Sequence, residues 1–242
     1  MQDSYIFKRV EKKYRLSEET YNRLLENIRD RLLPDPHGVS TICSLYLDTP
    51  DFLLIRNSIE AISYKEKLRL RSYGAPSDDS RIFFEIKKKL KGVVYKRRVA
   101  MRYNEVKNYI NGGAPPFDSQ IMREIDYAMS FYGYPAPKVC ILSEREAYYS
   151  KENPDLRLTF DTNIRYRYDF PTPESISEGT HIIGDGEHLL EIKTGGGMPL
   201  WLSCALAEDQ IYPISFSKYA TAYRDIISNN KISEMKGISS YV

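Results

Sequence analysis

Three consecutive stretches between Tyr64 and Met101 alternate charged with apolar residues. In the first, Lys67, Arg69 and Arg71 alternate with two leucines. In the second, Glu85, Lys87 and Lys89 alternate with Phe84 and Ile86, and the third has Lys96 and Arg98 on one side. Residues two apart share a face of a β-strand, and the short Lys91-Gly92 link favours a hairpin between the second and third stretches. The pattern therefore predicts one sheet face with about seven cations: Lys67, Arg69, Arg71, Lys87, Lys89, Lys96 and Arg98.

Like charges on neighbouring strands destabilise a sheet, so a face this basic needs either free solvation or a bound anion. The ordinary interpretation is a solvent-facing sheet, since antiparallel sheets often turn polar residues outward. The three strands alone do not decide between the two.

A second recurring feature is a carboxylate two residues before a lysine on a predicted strand. Mg²⁺ or Mn²⁺ is typically held by one or two carboxylates together with substrate phosphates, so a carboxylate kept among cations suits such an ion. Two further Glu-x-Lys pairs, at Glu105 and Glu234, lie in helical or tail segments, where residues i and i+2 do not face each other. The pairs on predicted strands are Glu11 with Lys13, Glu85 with Lys87, and Glu191 with Lys193. Carboxylates kept among cations in this way predict phosphate chemistry.

Composition limits the class of protein. The chain of 242 residues fits one large or two small domains, and 42% hydrophobic with 28% charged residues excludes a disordered chain. A net charge of +2 means that an anion site must come from local clustering. Cys43, Cys140 and Cys204 lack metal or redox spacing, and two of them lie in apolar strand-like runs, which favours buried free thiols and a reducing compartment.

The first ten residues mix charges into their apolar positions and do not read as a signal peptide. No run approaches the roughly 20 apolar residues of a membrane span. We therefore expect a cytoplasmic protein whose attachment to a membrane, if any, comes through a partner.

The remaining elements must position the charged strands. Alternation predicts further strands at 5–16, 39–48, 138–149, 156–168 and 188–194. Helices are predicted after the Ser17 cap as far as Pro34, after the Thr49 cap with Pro50 at the first helical position, and over 104–111, 118–132, 199–207 and 217–228. About eight strands would have charged residues on one face and apolar residues toward the helices. Closed into a barrel, such an α+β fold would have a charged lumen suited to an anion; the alternative is an open sheet covered on one side.

The order and spacing of several short motifs resemble the VTC-domain polyphosphate polymerases of the triphosphate tunnel metalloenzyme (CYTH-like) superfamily. The resemblance covers nearly the whole chain. Its motifs are Glu11-Lys12-Lys13-Tyr14, Tyr46-Leu47-Asp48-Thr49-Pro50, Lys67-Leu68-Arg69-Leu70-Arg71, Phe84-Glu85-Ile86-Lys87, Lys96-Arg97-Arg98, Arg145 with Ala147-Tyr148, Glu191-Ile192-Lys193 and Ser217-Lys218-Tyr219.

The resemblance implies an eight-stranded antiparallel β-barrel tunnel with a charged lumen and helices packed outside, formed by one domain over residues 1–242. It implies Mn²⁺ or Mg²⁺ as cofactor, ATP, triphosphate and polyphosphate as ligands, and transfer of the ATP γ-phosphate to a growing polyphosphate chain. By matching motifs, Lys13, Arg69, Arg71, Lys87, Arg145 and Lys218 would grip phosphates, with Ser217 at a helix start and Glu191 on the metal. Further candidates are Glu11, Glu85, Lys96, Arg98, Arg157 and Lys193.

One departure bears on the reaction. Many hydrolases of the superfamily begin with Glu-x-Glu-x-Lys, and here Arg9 occupies the first glutamate position. This favours a polymerase over a triphosphatase or nucleoside triphosphatase and leaves a non-catalytic phosphate-binding module open. A single-stranded nucleic-acid surface would place aromatic rings among the cations; leucine, isoleucine and valine mostly separate them, so we expect no nucleic-acid partner.

Overall fold

We describe the protein from a computed structural model, which describes residues 10–61, 63–91 and 93–238. Arg9, Gly92 and the first part of the strand predicted at 5–16 lie outside these residues. The strands are β1 Val10–Leu16, β2 Leu32–Pro34, β3 Ser40–Asp48, β4 Tyr64–Tyr73, β5 Arg81–Leu90, β6 Val93–Arg102, β7 Ala136–Ser150, β8 Arg157–Arg167, β9 Thr180–His181 and β10 His188–Thr194. The helices are α1 Glu18–Ile28, α2 Leu53–Glu60, α3 Tyr103–Ile110, α4 Gln120–Phe131, α5 Leu200–Glu208 and α6 Lys218–Ile238, with a 3₁₀ turn at Arg29–Arg31.

The chain divides into two compact units. The first unit takes the described residues of Met1–Ile42, Leu142–Ile164 and Ile183–Phe216. The second unit takes the described residues of Cys43–Ile141, Arg165–Ile182 and Ser217–Val242.

In the first unit, β10 lies between β1 and β8 and pairs antiparallel with both. Even-numbered residues of these strands, such as Tyr14, Leu158 and Leu190, enter an apolar core. Helices α1 and α5 supply its other side with residues such as Leu24 and Leu202. Helix α1 begins as predicted, because the Ser17 hydroxyl accepts a hydrogen bond from the backbone N–H of Thr20 at 3.2 Å. The odd-numbered residues of β1 therefore lie on the face away from the core.

In the second unit, β5 pairs antiparallel with β4 on one side and with β6 on the other. The even-numbered residues Leu68, Phe84 and Ile86 are at most 1% exposed. Helices α3 and α4 pack on this apolar side, where the ring of Tyr109 meets the ring of Phe84 edge to face at 6.1 Å. The cations predicted from the sequence, which are odd-numbered in β4 and β5 and even-numbered in β6, lie on the opposite face of these strands.

The predicted class is confirmed: the fold is α+β, with an antiparallel sheet of eight longer strands and two short ones among the described residues and helices packed around it. Within the described residues, the strand ladder ends at β1 and at β6, so hydrogen bonds do not close it into the predicted barrel, while the antiparallel strands with helices packed around them agree with the predicted tunnel fold. In the first unit, the outer edge of β1 meets an irregular segment, where the N–H of Ile214 donates to the carbonyl of Lys13 at 2.7 Å. In the second unit, α3 and α4 pack against β6.

Three predicted helix boundaries were wrong, and one of them is the end of α6, which was predicted at 228 and lies at Ile238. Helix α2 begins at Leu53, after the predicted Pro50, because the side chain of Asp48 accepts from the N–H groups of Leu54 and Ile55 at 2.8 and 3.0 Å and so fixes its first turn. The helix predicted to reach Pro34 ends at Ile28 and is followed by the 3₁₀ turn and β2.

Two other expectations concern thiols and membranes. Cys43 and Cys140 are buried free thiols as predicted, while Cys204 is an exposed free thiol. Among the described residues, we find no helix with both the length and the apolar character that crossing a membrane requires.

Candidate functional site

The cations of the second unit form cross-strand rows on the polar face of β4, β5 and β6. The strand register places Lys67, Lys87 and Lys96 side by side in one row. The next row reads Arg69, Glu85 and Arg98. Unlike charges on neighbouring strands stabilise a sheet, and like charges destabilise it. The carboxylate of Glu85 in the second row therefore determines the electrostatics of the whole face.

Glu85 is the centre of this face and is 1% exposed. Its Oε2 lies 2.7 Å from Nη2 of Arg69 and 4.0 Å from Nε of Arg71, and its Oε1 lies 2.6 Å from Nζ of Lys96. Burial alone would raise the pKa of Glu85, but Arg69, Arg71 and Lys96 outweigh it and lower the pKa to about 2. We call Glu85, Arg69, Arg71 and Lys96 the Glu85 cluster.

The cations of the Glu85 cluster have shifted pKa values of their own. Burial lowers the pKa of Lys96 to about 8, and the ion pair with Glu85 only partly offsets this effect, while Arg69 adds to the lowering. Burial also acts to lower the pKa of Arg69, but Tyr46 and Glu85 reverse the effect and raise it. Arg71 additionally donates from Nε to the hydroxyl of Ser44 at 3.3 Å.

Tyr46 on β3 borders the Glu85 cluster and was missed as a site residue. Its hydroxyl accepts a hydrogen bond from Nη1 of Arg69 at 3.2 Å. Burial raises the pKa of Tyr46, but Arg69, Lys67 and Arg71 together lower it to about 8. The sequence contained a signal, since alternation along β3 places Tyr46 on the same face as Ser44 and Asp48.

Helix α6 begins beside the lysine row of the second unit. Ser217, directly before the helix, accepts from Nζ of Lys67 at 3.1 Å and from the backbone N–H of Ala220 at 3.4 Å. Lys218 is the first helical residue and is half-buried. A helix N-terminus favours negative charge, so Ser217 and Lys218 extend the anion-attracting character of the face.

Two other predicted residues of the second unit differ in their surroundings. Lys87 is half-buried between Lys67 and Lys96 in the lysine row. Arg98 is exposed and lies over the ring of Phe83 at 4.7 Å. Phe83 and Tyr46 therefore place aromatic rings among the cations, which the alternating aliphatic residues did not predict because those residues lie on the opposite face.

The first unit has its own charged cluster, on the odd-numbered face of β1 and β10. Nζ of Lys13 lies 3.3 Å from Oε1 of Glu191 and 3.7 Å from Oε1 of Glu11, and it donates to the carbonyl of Phe216 at 3.0 Å. The other oxygen of Glu191 accepts from Nζ of Lys193 at 2.9 Å. We call Glu11, Lys13, Glu191 and Lys193 the Glu191 cluster.

The two predicted arginines of the first unit are both paired with aspartates. Arg145 makes a bidentate pair with Asp161, with both distances at 2.6 Å, and Asp161 is completely buried. Arg157 donates to Asp35 at 3.1 Å and stacks over the ring of Tyr149 at 4.9 Å. Both arginines lie on predicted strands, but local alternation could not predict their partners, because Asp161 lies on a different strand, β8, and Asp35 lies just beyond the end of β2.

The Glu191 cluster fits a hard divalent cation. Glu11 and Glu191 both reach the ammonium of Lys13, so two carboxylates already converge on one positive charge. The described residues contain no group of three or more His, Cys, Asp or Glu that could hold a metal by itself. An oxygen-only set of one or two carboxylates, completed by phosphate oxygens and water, is the usual arrangement for Mg²⁺.

Comparison with known protein families matches residues 8–227 to the family described as the VTC domain. No curated protein matches the sequence. Among solved structures, a protein of Bacillus halodurans described as a "putative adenylate cyclase" has 14% identity and a TM-score of 0.53, over 87% of this chain and 95% of that one. At this identity the likeness shows the fold.

Two further solved structures are more distant. The PH1819 protein of Pyrococcus horikoshii has 12% identity and a TM-score of 0.46, over 90% of this chain and 98% of that one. The Mimivirus capping enzyme triphosphatase has 10% identity and a TM-score of 0.34, over 83% of this chain and 88% of that one.

Proposed function

The chain belongs to the VTC domain family, and from that premise we propose that it is a polyphosphate polymerase. It takes ATP and a polyphosphate chain as substrates and moves the γ-phosphate of ATP to the chain end. We further propose that residues 1–242 act as one VTC-type domain and that both charged clusters serve this reaction. The coarser function, handling of a triphosphate group, has the support of the family and of the charge on both clusters.

The observation that carries the proposal is the Glu85 cluster. Two arginines and a lysine converge on one buried carboxylate on the polar face of β4, β5 and β6. Next to it, Lys67 reaches Ser217 at the start of α6. Arginine presents a planar fork of donors that matches phosphate oxygens, and lysine adds a compact positive charge. A face that holds this many cations in place is suited to a ligand with several negative charges.

Phosphoryl transfer requires mainly positioning and charge stabilisation from the protein. In the proposed reaction, a terminal oxygen of polyphosphate forms a bond to the γ-phosphorus of ATP, and the bond from that phosphorus to the β,γ-bridging oxygen breaks. The electron pair stays on ADP, and the polyphosphate chain gains one phosphate. Arg69, Arg71, Lys87, Lys96, Ser217 and Lys218 would hold phosphate oxygens in the second unit, and Lys13 and Arg145 would do so in the first.

The divalent ion would be held by Glu191, with Glu11 as a second carboxylate. When bound, Mn²⁺ or Mg²⁺ would neutralise charge on phosphate oxygens. In its absence, Lys13 and Lys193 neutralise Glu191. Arg98 and Arg157 would contribute less, since one lies over Phe83 and the other pairs with Asp35.

Product analysis tests the proposal directly. The protein is incubated with ATP and Mn²⁺, and the phosphate products are separated by chain length. Long polyphosphate together with ADP is the expected result. Orthophosphate without polymer would indicate a hydrolase, and triphosphate binding without turnover would indicate a binding module.

A pair of variants shows whether turnover depends on the charged face. Lys96→Met removes a cation of the Glu85 cluster and should reduce turnover. Arg97→Met removes the neighbouring cation on the opposite face of β6, where Nε lies 3.8 Å from Glu124 of α4, and should leave turnover near the unmodified level. Equal activity in the two variants would count against the Glu85 cluster as the phosphate site.

A further inference from the structure

The motifs Tyr46-Leu47-Asp48-Thr49-Pro50 and Ser217-Lys218-Tyr219 meet in the second unit. The proposed reaction uses only Ser217 and Lys218 from these two motifs. The ring of Tyr46 on β3 stacks on the ring of Tyr219 on α6, with centroids 4.3 Å apart and planes 16° from parallel. The hydroxyl of Tyr219 donates to Oδ2 of Asp48 at 2.9 Å. The contact therefore connects β3 to the first turn of α6.

Asp48 and Tyr219, on which the position of the Tyr46 ring depends, are themselves held in place. Asp48 is completely buried and also accepts from the backbone N–H groups of Thr49, Leu54 and Ile55 at 2.8 to 3.0 Å. Tyr219 is 1% exposed, so its ring has little room to rotate. A ring stacked on such a neighbour keeps a defined position, which places the hydroxyl of Tyr46 beside Arg69.

The hydroxyl of Tyr46 has hydrogen-bonding capacity left. A phenol can accept hydrogen bonds and donate one. Tyr46 accepts from Arg69 at 3.2 Å, and within the described ranges no residue accepts its own hydrogen. Lys67, Arg69 and Arg71 on β4 surround it with positive charge, which makes its O–H a stronger donor toward an anion.

We propose that Tyr46 is a further phosphate ligand, which donates its hydroxyl hydrogen to a phosphate oxygen held by Arg69, and that Tyr219 and Asp48 are its positioning residues. This inference rests on the proposed function, because it adds a neutral donor to the same phosphate-binding face. In this proposal the neutral phenol of Tyr46 increases the affinity for triphosphate and does not compete with triphosphate for Arg69.

The competing explanation is that Tyr46 only satisfies Arg69 inside the folded chain. Removal of the hydroxyl would then leave Arg69 with one internal partner fewer, and triphosphate would bind equally well or more tightly. The two explanations predict opposite changes in affinity for the same variant.

Isothermal titration calorimetry with triphosphate, together with thermal melting, separates them. Tyr46→Phe keeps the stacked ring and removes the hydroxyl, and we expect a loss of affinity of about tenfold or more, as for a hydrogen bond to a charged group. Tyr219→Phe keeps the stack but releases Asp48, and we expect a smaller loss. The matched control is Tyr132→Phe, which removes a 2.7 Å bond to Glu66 on the opposite face of β4 and should leave affinity unchanged.

The outcomes are distinguishable. If the unmodified protein does not bind triphosphate, the proposed function fails and the inference fails with it. If the unmodified protein binds but Tyr46→Phe binds as well or better, the inference is overturned while the proposed function stands. If Tyr46→Phe shows the same fall in melting temperature as Tyr132→Phe and no loss of triphosphate affinity, the inference is likewise overturned.

A second measurement uses the unmodified protein and does not depend on folding of the variant. Ionisation of a phenol changes its near-ultraviolet absorbance, and Tyr46, whose ring stacks on that of Tyr219, should ionise near pH 8, because Lys67, Arg69 and Arg71 lower its pKa from the ordinary 10. A phenol that donates to bound triphosphate should ionise at a higher pH when triphosphate is present. An unchanged titration at saturating triphosphate would refute the contact.

Discussion

Glu85→Gln tests whether the carboxylate of Glu85 occupies the position that a negatively charged phosphate group of the substrate would take. The substitution keeps the size of the side chain and removes its negative charge from a position that is 1% exposed. The pKa of Glu85 falls from an ordinary 4.5 to about 2, because Arg69, Arg71 and Lys96 outweigh its burial. At 1.36 kcal/mol per pKa unit, the ionised carboxylate favours the folded state by about 3 kcal/mol at neutral pH.

The sign of this contribution follows from the direction of the shift. A carboxyl whose pKa is depressed by folding contributes its full stability above the unfolded value near 4.5 and loses it as the pH falls toward 2. We therefore expect Glu85→Gln to reduce the free energy of unfolding by about 3 kcal/mol at pH 7. The difference from the unmodified protein should shrink below pH 4.5.

Triphosphate should narrow the difference in stability between the two proteins. In the variant, Arg69 and Lys96 lack the buried carboxylate, so a bound polyanion replaces the missing charge. We expect triphosphate to bind Glu85→Gln about tenfold more tightly and to raise its melting temperature by more than it raises that of the unmodified protein. The measurements are chemical denaturation at several pH values, thermal melting with and without triphosphate, and calorimetric titration.

The matched control is Glu66→Gln on the opposite face of β4. Glu66 is also buried, accepts from the hydroxyl of Tyr132 at 2.7 Å and lies 3.3 Å from Nζ of Lys88. This variant should lose stability without any change in triphosphate affinity. If Glu85→Gln instead binds triphosphate more weakly than the unmodified protein, Glu85 is needed to orient Arg69, and its interpretation as a substitute for substrate charge is wrong.

Three other predictions follow from the same charges. Glu191→Gln should retain triphosphate binding but reduce Mn²⁺-dependent turnover by about a hundredfold, roughly 2.7 kcal/mol on the barrier; near-normal polymer synthesis at limiting Mn²⁺ would exclude Glu191 as the metal ligand. Calorimetric affinity for triphosphate should fall as KCl rises from about 50 to 200 mM, because salt screens the cations; an affinity independent of salt would argue against ionic binding. The pKa of Tyr46 lies near 8 in the folded chain and near 10 when unfolded, so its ionisation adds stability as the pH rises through 8. By denaturation at pH 7 and 9, the unmodified protein should gain about 1 kcal/mol relative to Tyr46→Phe, and a loss would contradict the assigned charge environment.

The alternation of charged and apolar residues was enough to predict much of the fold. Burial of Leu68, Phe84 and Ile86 to within 1% exposure agrees with the predicted apolar face, because a period of two assigns each side chain to one side of a strand without knowledge of its neighbours. Helix starts were less predictable. Asp48 fixes the first turn of α2 from six and seven residues away, and a local pattern at Thr49-Pro50 does not contain that information.

The local alternation of residues could not predict which cation pairs with which carboxylate. Glu85 and Lys87 lie on the charged face as expected, but which cation each carboxylate meets depends on strand register. The register sets Glu85 opposite Arg69 on one side and Arg98 on the other. Of these two arginines, Arg69 pairs closely with Glu85, whereas Arg98 lies over Phe83. Likewise, Asp161 on β8 pairs with Arg145 on β7, 16 residues away in sequence.

Internal carboxylates offer a third way to stabilise a basic face, besides free solvation and a bound anion. Glu85 serves this purpose in the second unit, and in the first unit Glu191 pairs with two lysines and Asp161 with Arg145. Each pair preserves the cation in a defined geometry while the chain is free of ligand, but a phosphate must then compete with a carboxylate that is already in place. One phosphate group supplies too little charge to replace several such contacts together, whereas a chain of phosphates can engage many cations at once. We therefore expect a polyphosphate chain to bind more tightly than a single phosphate, because only the chain can replace several of these carboxylate contacts together.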